Sequence, residues 1–166
     1  MWYDFEMDQH LSTYLSTAVW GYSNEGAPDV LNIPVANIPV AWTGATEYKV
    51  LGYGSYDPLT GRYTVEREGF YAIDFDADFD VAQDAGFQTV GVQVNQVPAF
   101  HNGIFRTHPT GVAGRYNVAG RGLTLALSAG TTIAFSFATA IDPDTLTIYS
   151  ASIRVQNVQA QLGTAL

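Results

Sequence analysis

The chain has 166 residues, 47% hydrophobic and 14% charged, which suits one folded domain and excludes a disordered chain. A net charge of −9 leaves no basic cluster for a nucleic-acid backbone, and no apolar stretch is long enough to cross a membrane as a helix. With no cysteine, disulfides, thiolate chemistry and cysteine-bound zinc are all excluded.

Residues 1–8 mix Trp2, Tyr3 and Phe5 with Asp4, Glu6 and Asp8. They read either as an arm that lays aromatics on a neighbour or as the first edge of the core. In His10–Val19, Leu11 and Leu15 fit a helical face, while Leu11, Thr13, Leu15, Thr17 and Val19 fit one face of a strand. The Ser and Thr content favours the strand. Six acids precede Lys49, the first basic side chain. That acidity reads as solubility or as a segment that lies on a basic protein surface.

Gly21–Asp29 reads as a polar loop. The next segment carries an echo: Asn32-Ile33-Pro34-Val35 recurs as Asn37-Ile38-Pro39-Val40. Each proline removes an amide donor, so the segment is expected to be an extended edge, running between subunits, and not a central strand. Thr46–Tyr53 reads as a short strand.

Residues 56–79 follow as a hairpin. Asp57-Pro58 and Thr60-Gly61 mark a turn, Arg62–Val65 a short strand, and Glu66–Gly69 a tight connection. From Phe70 the chain alternates. Tyr71, Ile73, Phe75, Ala77 and Phe79 share one face, and Asp74, Asp76, Asp78 and Asp80 share the other. Period two over this length predicts a strand with one buried and one wet face.

Gln88–Val97 alternates in the same way. Phe100–Gly114 reads as irregular, with a turn at Asn102-Gly103. Arg115–Val118, Gly122–Leu127 and Thr131–Thr139 read as strands, the last two joined across Ser128–Gly130. Asp142-Pro143-Asp144 breaks the pattern before a final strand over Thr145–Val158. No helix and no repeat stands out. Eight to ten short strands predict an all-β, antiparallel two-sheet jelly-roll sandwich. Residues 1–45 are expected to form an extended arm and edge strands, and 46–166 the head, within one compact domain.

These turns and strands resemble the jelly-roll heads of the tumour-necrosis-factor and complement globular-head families. The resemblance rests on Asp57, Pro58, Thr60, Gly61, Gly69, Tyr71 and Phe75. It continues through Gly122, Leu125, Leu127, the Ser128–Gly130 turn, Ile133–Phe137 and Ser150–Ser152, covering residues 45–158. The first 45 residues have no clear counterpart, and neither a collagen stalk nor a coiled coil precedes the head. The resemblance implies a homotrimer with aromatic and aliphatic side chains along its axis. Phe105, Tyr116, Phe135, Phe137 and Tyr149 are candidates, each also able to fill the sandwich.

Chemistry is sparse. Alternate carboxylates on one strand face stand about 6.5–7 Å apart. The row Asp74, Asp76, Asp78 and Asp80 could offer calcium two or three oxygens, but no EF-hand spacing accompanies it. A solvated face that resists edge pairing is its ordinary reading, with a basic docking partner between the two. His101 and His108 match no zinc spacing, His10 stands alone, and no nucleophile elbow or phosphate loop is present. No metal, cofactor or enzyme activity is expected.

Residues 1–20 lack the basic and the continuous apolar regions of a secretory leader, and there is no Asn-x-Ser/Thr sequon. Together with the absence of cysteine, this points to a viral or bacterial source and a chain expected to be whole from Met1. The expectation is a non-enzymatic virion protein: a trimeric decoration or cement protein on a bacteriophage capsid surface. Its partner would be the major capsid protein or another virion protein, with Trp2, Tyr3 and Phe5 as capsid-contact residues of the arm. The alternative is the receptor- or glycan-binding head of a phage fibre or spike. A third reading is a monomeric carbohydrate-binding sandwich with Trp20 and Trp42 as stacking platforms.

Overall fold

A computed structural model describes residues 16–81, 87–97, 106–109, 114–141 and 143–158. These residues form strands β1 (Thr17–Ser23), β2 (Asp29–Ile33), β3 (Val40–Ala41), β4 (Glu47–Leu51), β5 (Ser55–Asp57) and β6 (Arg62–Thr64). They continue as β7 (Gly69–Val81), β8 (Phe87–Val94), β9 (Arg106–Pro109), β10 (Gly114–Leu127), β11 (Thr132–Thr139) and β12 (Asp144–Asn157). One sheet runs β10-β7-β12-β1-β4, with β2 also on β12. The other runs β5-β6-β11-β8-β9, with β3 also on β11. All the strand pairs are antiparallel. From β4 onward the chain passes back and forth between the sheets, which makes the sandwich a jelly roll.

The alternation in β7 has the expected result. Tyr71, Ile73, Phe75, Ala77, Phe79 and Val81 are buried between the sheets, and the four aspartates face out. The preceding turn is tied by its own first residue. Asp57 accepts from the Leu59 amide at 2.9 Å and the Thr60 hydroxyl at 2.8 Å. Strand β11 is central to the second sheet and buried on both faces from Ile133 to Thr139.

Three expectations are corrected here. Within residues 1–45, the described part, from Ser16 on, is not merely arm and edge. β1 is an interior strand between β12 and β4, and its Trp20 is wholly buried, as is Trp42 just after β3. The described part of the head therefore begins at Ser16 and not at residue 46. The Asn-Ile-Pro-Val echo is not one continuous extended edge. It carries the chain from β2 in one sheet to β3 in the other, with Pro34 and Pro39 outside both strands. The two strands expected over 115–127 are a single strand, β10, with a bulge at Arg121-Gly122.

Candidate functional site: the outer face of the first sheet

The aspartate row is zipped to the strands on either side of β7. Arg154 lies opposite Asp74 on β12 and bonds it at 2.8 Å, while the Gly122 amide on β10 donates to the same carboxylate at 2.9 Å. Ser152, opposite Asp76, donates to it. Arg115 reaches Asp78 through two bonds of 2.9 and 2.7 Å. The Tyr149 hydroxyl donates to Asp80 at 3.1 Å. Both ends of the row use a bulge: Arg121-Gly122 turns an amide onto Asp74, and the register break around Tyr149 turns a phenol onto Asp80.

Arg115 also takes Glu25, from the β1–β2 loop, in a fork of 2.5 and 2.8 Å, and lies 4.0 Å over the Tyr149 ring. These contacts set the protonation of the cluster. The Gly122 amide and then Arg154 hold Asp74 below the ordinary carboxylate value. The bond from Arg115 does the same for Asp78 and Glu25. Asp80 accepts a hydrogen bond from the Tyr149 hydroxyl, which raises that phenol. The two carboxylate partners make Arg115 hold its proton more tightly. Held in the ionised state, Asp74, Asp78 and Glu25 are poor proton donors near neutrality. Among the described residues, no three His, Asp or Glu side chains converge as a metal shell.

Beside the zipper the same face mixes apolar Val19 and Leu51 with charged Glu47 and Lys49. Thr17, Val19 and Gly21 of β1, Lys49 and Leu51 of β4, and Ala151 of β12 line a groove of 580 Å³. Val19 is 40% exposed, Leu51 52% and Tyr48, at the edge, 54%. Gly21 keeps the groove floor low between β12 and β4.

The sequence-predicted residues scatter. Phe135 and Phe137 are wholly buried within one chain, packed on each other at 5.1 Å and on Phe75 and Phe79. They have no surface left for a neighbour, so they are core and not axis residues. Trp20 and Trp42 are buried too, which removes them as sugar platforms. Trp20 stacks on Tyr56 at 4.9 Å, and the Trp42 indole N–H donates to Asp29 at 2.8 Å. Tyr116 is half-buried with its ring 6.5 Å from Phe79, and Tyr149 belongs to the zipper. Phe105, Trp2, Tyr3, Phe5, His10 and His101 lie outside the described residues, and His108 is described only as a backbone partner of Gln88. Sequence reasoning missed Glu25, Arg115 and the Val19–Leu51 groove. Glu25 and Arg115 are 90 positions apart, and their only signal was the scarcity of cations in an acidic chain.

No family model matches the sequence, and no curated protein matches it. Solved structures do. Eiger TNF from S. frugiperda aligns at a TM-score of 0.55 with 8% identity, over 86% of this chain and 92% of that one. The globular domain of zebrafish complement 1qA protein aligns at 0.46 with 13% identity, over 87% and 96%. PRD1 vertex protein P5 aligns at 0.49 with 11% identity, over 86% and 72%. The fold is thus a TNF-like jelly roll, and at these identities the likeness concerns the fold alone.

Proposed function

We propose that this jelly roll is a non-enzymatic virion structural protein, a trimer that decorates and cements the capsid of a bacteriophage. The observation that carries the reading is the open outer face of the first sheet. Asp74 and Asp78 are ion-paired to Arg154 and Arg115, Asp76 and Asp80 are held by hydroxyls of Ser152 and Tyr149, and apolar Val19 and Leu51 lie exposed beside them. Such a face offers area and specificity to a protein surface. The acidic, aromatic residues 1–15 add a second contact element, with Trp2, Tyr3 and Phe5 as its capsid anchors. The fold resemblance supports the trimer. Its axis would use half-buried side chains such as Tyr116 and not the core phenylalanines.

Two measurements test this. Light scattering should give about three times the 18.0 kDa chain mass, unchanged by a chelator. The full chain should then bind capsids more tightly than a chain lacking residues 1–15. A monomer, or equal binding by both chains, would overturn the cement reading. Tyr48, 54% exposed at the sheet edge with its ring 5.1 Å from that of Tyr56, favours a second reading, a receptor- or glycan-binding head, because an exposed aromatic can stack on a sugar ring. Glycan-array binding lost in Tyr48→Ala would support it.

A further inference from the structure

The outer face of the second sheet carries a polar cluster built on three adjacent strands. Arg62 on β6 and Gln93 on β8 are both ladder partners of Ala134 on β11. They stand on the side of the sheet opposite to the core residues Tyr63, Ile133 and Val94. Ala134 is small, so the two long side chains meet above it, and Arg62 Nη2 donates to Gln93 Oε1 at 3.2 Å. Gln93 is only 4% exposed and fully engaged. The same oxygen accepts from the Ser136 hydroxyl at 3.5 Å, and its amide N–H donates to the Val97 carbonyl at 2.6 Å.

The charge of Arg62 is left unanswered. It forms no ion pair among the described residues, and its Nη1 is buried with no acceptor. Its ladder partner on the other side is Asp57, but that carboxylate is engaged by the Leu59 amide and the Thr60 hydroxyl of its own turn. Burial therefore pushes the Arg62 guanidinium below its ordinary value, the opposite of Arg115, which two carboxylates raise. With sixteen acids for seven Lys and Arg, no shortage of carboxylates explains this. A part-buried guanidinium that faces a neutral amide in place of a counter-ion costs stability, and such costs gather where a ligand offsets them.

We infer that Arg62, braced by Gln93, is a binding site for a carboxylate on the outer face of the second sheet. Arg62 as a whole is only half-buried, so a turn of the guanidinium about its bond to Gln93 brings Nη1 to an oxygen at the surface. Two N–H groups then meet the two oxygens of a carboxylate as a fork, where partial exclusion of water strengthens the pair. Charge balance selects a monoanion. One guanidinium matches one carboxylate, whereas a dianion such as phosphate brings a second charge into the field of a chain at −9. The site lies on the other sheet from the aspartate row and does not rest on the cement reading.

Nuclear magnetic resonance of the full chain tests this through the Gln93 side-chain amide and the Ala134 backbone amide. Sodium acetate, exchanged for sodium chloride at constant ionic strength, should move both resonances along a saturable curve. The curve should be lost in Arg62→Met, which keeps the apolar stem and removes the charge. It should persist in Arg121→Met, which removes an exposed guanidinium of the first sheet. Arg62→Lys keeps the charge without the fork and should bind acetate more weakly than the parent. A capped Gly-Asp-Gly peptide should shift the same resonances. Tighter binding than acetate would mark an acidic side chain of a partner protein as the source, and equal binding a small carboxylate. Three results would overturn the inference: no saturation with acetate or peptide, unchanged saturation in Arg62→Met, or tighter binding of inorganic phosphate than of acetate.

Discussion

The Gly122 amide and the Asp74 carboxylate are joined across β10 and β7 at 2.9 Å, and the bond exists only because β10 bulges there. Gly122 has φ of +72°, the left-handed region, with open space where a side chain would stand. One residue of extra length thus closes the end of the aspartate row and re-aims a backbone donor at it.

Gly122→Ala should therefore cost about 1–2 kcal/mol, the price of a left-handed alanine alone. Gly122→Asn should recover part of that loss, because asparagine tolerates the region. Chemical denaturation measures both. Equal losses for Ala and Asn would show that the backbone conformation is not the source.

Gly120 sits two residues earlier and fails for a different reason. A β-carbon there would stand 2.4 Å from the Phe75 ring. Gly120→Ala should cost about 1–3 kcal/mol by overpacking, and Phe75→Leu in the same chain should relieve part of it. Additive losses in the double-mutant cycle would refute the contact.

Phe135→Ala should lower stability by about 3–5 kcal/mol, as for any large side chain removed from a packed core. The oligomeric state of the folded fraction should not change, because Phe135 is fully buried within one chain. Light scattering of the variant below its unfolding midpoint decides this. Dissociation without loss of stability would return Phe135 to a subunit axis.

What the sequence made legible was the sandwich and its longest alternating strand. β7 has one wet and one dry face, so its period is visible residue by residue. β11 is buried on both faces, so Phe135 and Phe137 carried no sign of whether they faced the core or a neighbour. β10 looked like two strands because Arg121-Gly122 breaks its alternation. The groove was invisible for a different reason. Val19, Lys49 and Arg154 become neighbours only through the register of β1 against β4 and β12, and register between distant strands is not written in any local pattern.

The aspartate row and the tyrosines should bound the pH range of stability from opposite sides. Asp74 and Asp78 titrate below their ordinary value of 3.8 in the folded chain, held by the Gly122 amide with Arg154 and by Arg115 respectively. Their contribution is complete above the unfolded value and is lost as pH falls through the folded one, so stability should fall below about pH 4. Tyr56 is pushed up to about 12 by burial, and Tyr149 is raised by its bond to Asp80. Their contribution is complete below about pH 10, the ordinary tyrosine value, and is lost as pH rises through the folded values. Thermal melts across both limbs should show a plateau between these limits. Asp74→Asn with Asp78→Asn should flatten the acid limb and leave the alkaline one in place. An acid limb unchanged in that variant would mean that other carboxylates set it.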